Sequence, residues 1–471
     1  MHWKENKQQY FFFAMAVTVS PSTALGPWKV DQNNNMLVPE VFYLSRNENS
    51  KVVTAQFSSS NNNYNDTFQV LPDPSPPTLA DPNLRVEKVL TGLERPTSMA
   101  FLDSDDIIIA QKDNGIVRVV SNGVLQPQPI LQVPMVNNSE RGLLGVAITN
   151  ATTTATTTNS TAAKTVFLYY SEAVGGQARN RIYSYEWNEM NNLTGGHLIL
   201  DLPGEPGPNH NGGKIKIGPD GMLYAVIGDL NRDGILQNIL DGAPPDDTSV
   251  IFRIKPNGSA VEDNPFFNST DESMKKYYAY GIRNSFGLDF DPITGYLWDT
   301  ENGPAVYDEI NVVLPGFNSG WQKVMGPIER EGEEEEEAEE EEADLAMSDL
   351  VNFPGSHYAD PVFSFRQSDG ITDIEFFNST RLGDRYTNNI FVGNFNHGNL
   401  HYFIVNSSRT GLDLAEISGL EDLVADNPEE VNAVTLGTGF RDGITDIETG
   451  PDGYLYILTF SGDMYRIVPS P

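Results

Sequence analysis

One phrase recurs along the chain and constrains its fold more than any other feature. It stands as Phe101-Leu-Asp-Ser-Asp-Asp-Ile-Ile-Ile-Ala110, Gly218-Pro-Asp-Gly-Met-Leu-Tyr-Ala-Val226, Asp291-Pro-Ile-Thr-Gly-Tyr-Leu-Trp-Asp299 and Gly450-Pro-Asp-Gly-Tyr-Leu-Tyr-Ile-Leu458. Each copy joins a tight turn to a short run of β-branched, aromatic and aliphatic residues, the pattern of a hairpin entering a buried strand. Two further strands, at 165–170 and 389–394, carry the run without so clear a turn. Units of this kind, recurring from Leu84 to the C-terminus with no long helical period, predict an all-β fold, a six-bladed β-propeller with four-stranded blades at roughly 65 residues each. Two packed β-sandwiches are the alternative.

The remaining chain divides by composition. Lys4 and Lys7 precede the apolar run 10–19, with Ser22, Thr23 and Ala24 after it, so residues 1–24 read as an export signal, too short to span a bilayer comfortably. Nine Asn-x-Ser/Thr sequons accord with an extracytoplasmic, secreted or cell-surface protein. Residues 25–83 are rich in Asn, Ser and Pro and read as a low-complexity tether before a propeller at 84–471. The strand 84–90 is expected to join the last blade and close the ring, protecting both sheet edges. Within 329–349 lies an acidic run expected to be a solvated surface insertion. With 65 acidic against 30 basic residues, the net charge of −35 disfavours nucleic-acid binding and favours cations. No cysteine is present, which removes disulfides, thiolate catalysis and Cys-ligated metals.

Polar clusters lie next to the predicted strands, where the loops of every blade converge on one end of the axis. They are Glu140-Arg141-Gly-Leu-Leu-Gly145, Asn209-His210-Asn211-Gly-Gly213, Gly281-Ile-Arg283-Asn284-Ser-Phe-Gly287, Glu301-Asn302-Gly303-Pro304 with Asp308-Glu309, Gly393-Asn-Phe-Asn396-His397-Gly398 and Gly439-Phe-Arg441-Asp442-Gly443. His210 is one of only six histidines, and in its turn-rich setting it is a candidate general base or a turn-bonding residue.

The ordered succession of these motifs, ending in Gly316-Phe-Asn-Ser-Gly-Trp321, resembles the glucose/sorbosone dehydrogenase family over about 84–468. That resemblance implies a six-bladed propeller using pyrroloquinoline quinone and calcium to oxidise a sugar-type hydroxyl and passing electrons to an external acceptor. It implies that His210 takes the hydroxyl proton and that Arg283 and Asn284 line the reactive quinone carbonyl. Glu140, Asn209, Arg283, Asn302, Asn396 and Arg441 fall at cofactor-binding positions, and Gly303, Pro304 and Asp308 at the calcium site. The chain departs from the pattern where Asn396 replaces a lysine, where Gly439-Phe-Arg441 keeps one arginine of a pair, and where Glu140 replaces a glutamine. Losing two cations opposite a tricarboxylate weakens the cofactor's anionic side. A calcium-dependent lactonase or esterase, with His210 activating water, and a non-catalytic carbohydrate- or protein-binding propeller are the other readings.

Overall fold

A computed structural model describes residues 75–150, 164–188, 192–330 and 347–471, together with the backbone of short strands between 29 and 69. The proposed signal 1–24, most of the Thr-rich stretch 150–164 and most of the acidic run 329–349 lie outside the described residues. The chain forms two compact units, Met1–Ser75 and Pro76–Pro471. The first holds the antiparallel strands Phe42–Arg46, Val52–Ser59 and Asn62–Gln69, so part of the segment read as a tether is β-structured. The second begins at Pro76 rather than at 84, because Thr78–Leu79 pairs with Thr435–Thr438. Among the described residues no helix is long and apolar enough to cross a membrane.

The larger unit is built of antiparallel sheets taken up one after another along the chain. Each starts with its innermost strand: Pro96–Phe101, Leu143–Asn150, Ile215–Ile217, Ser285–Phe290, Ile371–Phe377 and Ile444–Thr449. These innermost strands touch in that order, and the last touches the first again, so the sheets surround an axis. Strand numbers run from four to six per sheet, which corrects the expectation of uniform four-stranded blades. The extra strands are short pieces such as Phe317–Asn318 and Val424–Ala425 that add parallel pairs at outer edges. In the closing sheet, Leu84–Leu90 pairs antiparallel with Met464–Pro469. A strand near the start of the unit and its last strand are thus hydrogen-bonded into one sheet.

Alternation explains why the strands are nearly continuous in apolar residues. On Asp106–Gln111, Ile107 and Ile109 pack with Leu458 and Met464 of the closing sheet, whereas Ile108 and Ala110 pack with Val166 and Leu168 of the next sheet. Both faces of every sheet need cover, and a ring supplies it without a free face.

The repeated phrase takes the same geometry wherever it is complete. Gly218 and Gly450 donate to the carbonyls of Met222 and Tyr454, at 2.9 and 2.8 Å. The Asp220 and Asp452 carboxylates accept from the amides of the same two residues, and Gly221 and Gly453 sit at φ +75 and +79. These turns connect each innermost strand to the second strand. Antiparallel pairing therefore sets them at the opposite end of the ring from the polar clusters, which precede innermost strands or follow second strands.

Charge fills the axis. The Lys214 ammonium meets Asp373 at 2.7 Å and Asp446 at 2.5 Å, and Lys216 meets Asp289, Glu375 and Glu448 at 3.1 to 3.3 Å. Burial pulls the pKa of Lys214 down, but Asp373 and Asp446 outweigh it and the net shift is upward; burial pushes Asp373 and Glu375 well above the carboxylate range. The two lysines bridge innermost strands that have no main-chain bonds to one another. Lys214→Met leaves two buried carboxyls without their cation and is expected to cost about 3–5 kcal/mol of unfolding free energy. Equilibrium denaturation checks this, and an unchanged midpoint would remove the axial pairs from the account of closure.

Candidate active site

At the end of the ring opposite the repeated turns lies a cavity of about 610 Å³. Its wall includes Glu140, His210, Arg283, Asn284, Asn302, Gly303 and Asn396, so seven residues singled out from the sequence meet there.

His210 sits in the loop before Ile215–Ile217 with φ +60. Its backbone amide donates to Glu140 Oε2 at 2.6 Å, and the Asn211 amide and the Asn284 side-chain amide reach the same oxygen at 3.3 Å. Glu140 therefore ties the histidine loop to the arginine loop. The imidazole Nδ1 pairs with Asp229 Oδ1 at 2.6 Å, and Asp229 Oδ2 accepts from the Trp321 indole at 2.7 Å. Asp229 is an acceptor, so Nδ1 carries the proton, which in a neutral imidazole leaves the lone pair on Nε2. The backbone supports this placement: the Asp229 amide donates to the Arg283 carbonyl at 2.9 Å. At Gly228 a Cβ would collide with that carbonyl and stand 2.7 Å from the His210 carbonyl, so only glycine lets the three segments meet.

Arg283 leads into Ser285–Phe290. Its Nη1 donates to the Asn302 carbonyl at 2.7 Å and its guanidinium lies 5.2 Å from the Trp321 ring centre, a cation–π contact that fixes its plane. Burial lowers its pKa, while Asp229, Glu301 and Glu140 push back. Behind it Glu301, fully buried, accepts from the Arg283 amide at 2.6 Å and from the Ser319 hydroxyl at 2.6 Å. Burial pushes Glu301 up to about 7, against those two hydrogen bonds.

The remaining candidates take other positions. Asp308 is buried and spends both oxygens on donors: Gly303 N at 3.0 Å and Ser368 Oγ at 2.7 Å on one, the amides of 369–371 at 2.6 to 3.3 Å on the other. It organises the loops beside the cavity, and burial raises its pKa despite those donors. Pro304 is exposed and does not line the cavity; Asn209 accepts from the Ser139 hydroxyl at its rim; Arg441 is exposed, 3.8 Å from Asp442, and does not line it. Sequence reasoning gave no role to Asp229, although it ends the stretch that holds His210, nor to Trp321, Arg95, Lys112 and Lys214. An acidic residue closing a strand that follows a pocket histidine was the available signal for Asp229.

The Glucose / Sorbosone dehydrogenase family model matches residues 93–466. Aldose sugar dehydrogenase YliI of Escherichia coli is 26% identical over 399 residues, 83% of this chain and 94% of the relative. Quinoprotein glucose dehydrogenase B of Acinetobacter calcoaceticus is 27% identical over 271 residues, 52% of this chain and 53% of the relative. The crystal structure of a Thermus thermophilus protein described as an oxidoreductase (glucose dehydrogenase) superposes with a TM-score of 0.61 at 25% identity, covering 82% of this chain and all of that one.

The raised Glu301 has a measurable signature. The folded state holds this proton to higher pH than the unfolded chain, whose ordinary value is 4.5, so the contribution is full below 4.5 and is lost as pH rises towards 7. Glu301→Gln is expected to flatten the fall in stability between those pH values, measured by denaturant midpoints. An undiminished slope would place the proton elsewhere.

Proposed function

We propose that this chain, which belongs to the glucose/sorbosone dehydrogenase family, is an oxidoreductase that oxidises the hydroxyl of a sugar-type substrate in the cavity at the mouth of a six-bladed ring. The six successive sheets and their cyclic contacts support that blade count. The observation that carries the activity is the convergence of His210, Arg283 and Asn284 on one cavity, with the Nδ1 of His210 held by Asp229.

Bound pyrroloquinoline quinone would supply the two-electron acceptor for the hydride leaving the substrate carbon. The cavity fits such a group: Phe286, Phe395 and Phe460 offer apolar faces, and Arg283 with Asn284 offers fixed donors. Calcium fits beside it through backbone oxygens, since among the described residues no hydrogen bond reaches the carbonyls of Gly303 or Pro304. Asp308, whose oxygens are filled by amide and hydroxyl donors, holds that loop in shape and adds negative charge nearby.

His210 then acts as the base, taking the substrate hydroxyl proton at Nε2 as hydride leaves the same carbon. Asp229 stabilises the imidazolium that forms, as a buried carboxylate does for a histidine base, and Trp321 keeps Asp229 aimed. Arg283 stabilises negative charge developing in the cavity. Export through residues 1–24, with an external electron acceptor, completes this reading.

Purified protein given calcium, the quinone, an electron-accepting dye and a panel of aldoses is expected to reduce the dye. His210→Ala is expected to fold normally and turn over roughly 100-fold more slowly or worse. Full activity in the folded variant would remove His210 from the mechanism. No dye reduction by the wild type with any sugar would remove the dehydrogenase reading.

A further inference from the structure

We propose that Arg95 and Lys112, two cations delivered to the cavity by the first sheet, form a clamp for a carboxylate on the ligand. This rests on reading the cavity as the place where quinone and sugar bind. The positions expected to carry cations do not supply them: Asn396 is uncharged, and the Arg441 side chain is exposed beside Asp442. Two other cations line the wall. Lys214 is spent on Asp373 and Asp446, and Arg283, one bond of which goes to the Asn302 carbonyl, is the donor already assigned to the quinone carbonyl in the proposed reaction.

Arg95 and Lys112 are placed differently. They stand side by side at the open end of the hairpin formed by Pro96–Phe101 and Asp106–Gln111, where the Lys112 amide donates to the Arg95 carbonyl at 3.0 Å. Arg95 adopts φ +45, a left-handed conformation that a non-glycine residue holds only where its surroundings enforce it. Lys112 is fixed by its neighbours. Its carbonyl accepts from Leu143 at 3.1 Å, its ammonium donates to the Ser139 carbonyl at 2.7 Å, and a Cβ on Gly142 would stand 2.7 Å from its Cγ.

Asp113 pairs with both cations, so the trio keeps one net positive charge at the rim. Among the described residues Nε and Nη2 of Arg95 donate to nothing, and one Lys112 N–H is unspent. That leaves the guanidinium edge suited to bidentate carboxylate binding. Arg95 also stacks 5.6 Å from the Phe460 ring centre, and Phe460 packs edge-on against Phe395, all three lining the cavity. A carboxylate attached to a flat ring or to a sugar ring meets charge and apolar surface together. Its source is either a carboxylate of the quinone cofactor or that of a uronic acid.

The test titrates the full chain with pyrroloquinoline quinone alone, by quenching of tryptophan fluorescence, and separately with glucuronate by calorimetry, without dye or turnover. Arg95→Ala and Lys112→Ala are each expected to weaken binding of the clamped ligand about 10-fold, and the double variant about 100-fold. Arg95→Gln is the second substitution if Arg95→Ala does not fold. Asp113→Asn, which frees both cations of their counter-charge, is expected to bind at least as tightly as the wild type. Weakened quinone binding assigns the clamp to the cofactor; weakened glucuronate binding with unchanged quinone binding assigns it to the substrate. Wild-type binding of glucuronate but not of the quinone removes the quinone from the function and leaves the clamp standing. The clamp is overturned if the double variant binds both ligands as the wild type does, if the wild type binds neither, or if Asp113→Asn weakens binding as much as Arg95→Ala.

Discussion

Every sheet of the larger unit is apolar on both faces, and that constraint shapes everything else in it. A sheet with Ile107 and Ile109 on one side and Ile108 and Ala110 on the other needs a neighbour on each side, and only a closed ring gives each sheet two. Closure is completed by pairing Leu84–Leu90 with Met464–Pro469, which brings Lys88 onto Asp463 across a separation of 375 residues. The cost of closure falls at the axis, where innermost strands converge without main-chain bonds between them. Lys214 and Lys216 meet five carboxylates there, so ion pairs tie the innermost strands together across the axis.

The same closure makes the cavity. Loops that are far apart in sequence, around 140, 210, 284, 302 and 370, reach one another only because the strands beneath them point to a common axis. Lys214 belongs to both regions, ending the charged axis and flooring the cavity. Around it the polar groups are tied loop to loop: Glu140 to His210 and Asn284, Asp229 to His210 and Trp321, Asp308 to Gly303 and 369–371. In the proposed reaction, a histidine positioned in this way needs no rearrangement to act as the base.

The fold was legible because its signal is local. The turn of Gly218–Met222 and that of Gly450–Tyr454 repeat the same hydrogen bonds, and the same residues encode them. Strand number per sheet was not legible, because Phe317–Asn318 and Val424–Ala425 are two-residue pairings that leave no periodicity. For the site, His210, Arg283 and Asn284 announced themselves through dense Asn and Gly punctuation. Asp229 and Lys112 did not, since an acid or a lysine following a strand looks like any solvated turn until the ring brings it to the axis. Asp308, placed at the calcium site by the family resemblance, receives five hydrogen-bond donors that no sequence pattern announces.

The proposed reaction depends on Asp229 fixing His210 with Nε2 free to take a proton. Nitrogen-15 NMR of the imidazole, assigned by comparison with His210→Ala and recorded at about pH 9 where an imidazole is uncharged, reports the tautomer directly. A protonated Nδ1 and a pyridine-like Nε2 are expected in the wild type, with that preference reduced in Asp229→Asn. A protonated Nε2 in the wild type, or a tautomer indifferent to residue 229, would contradict the proposed reaction.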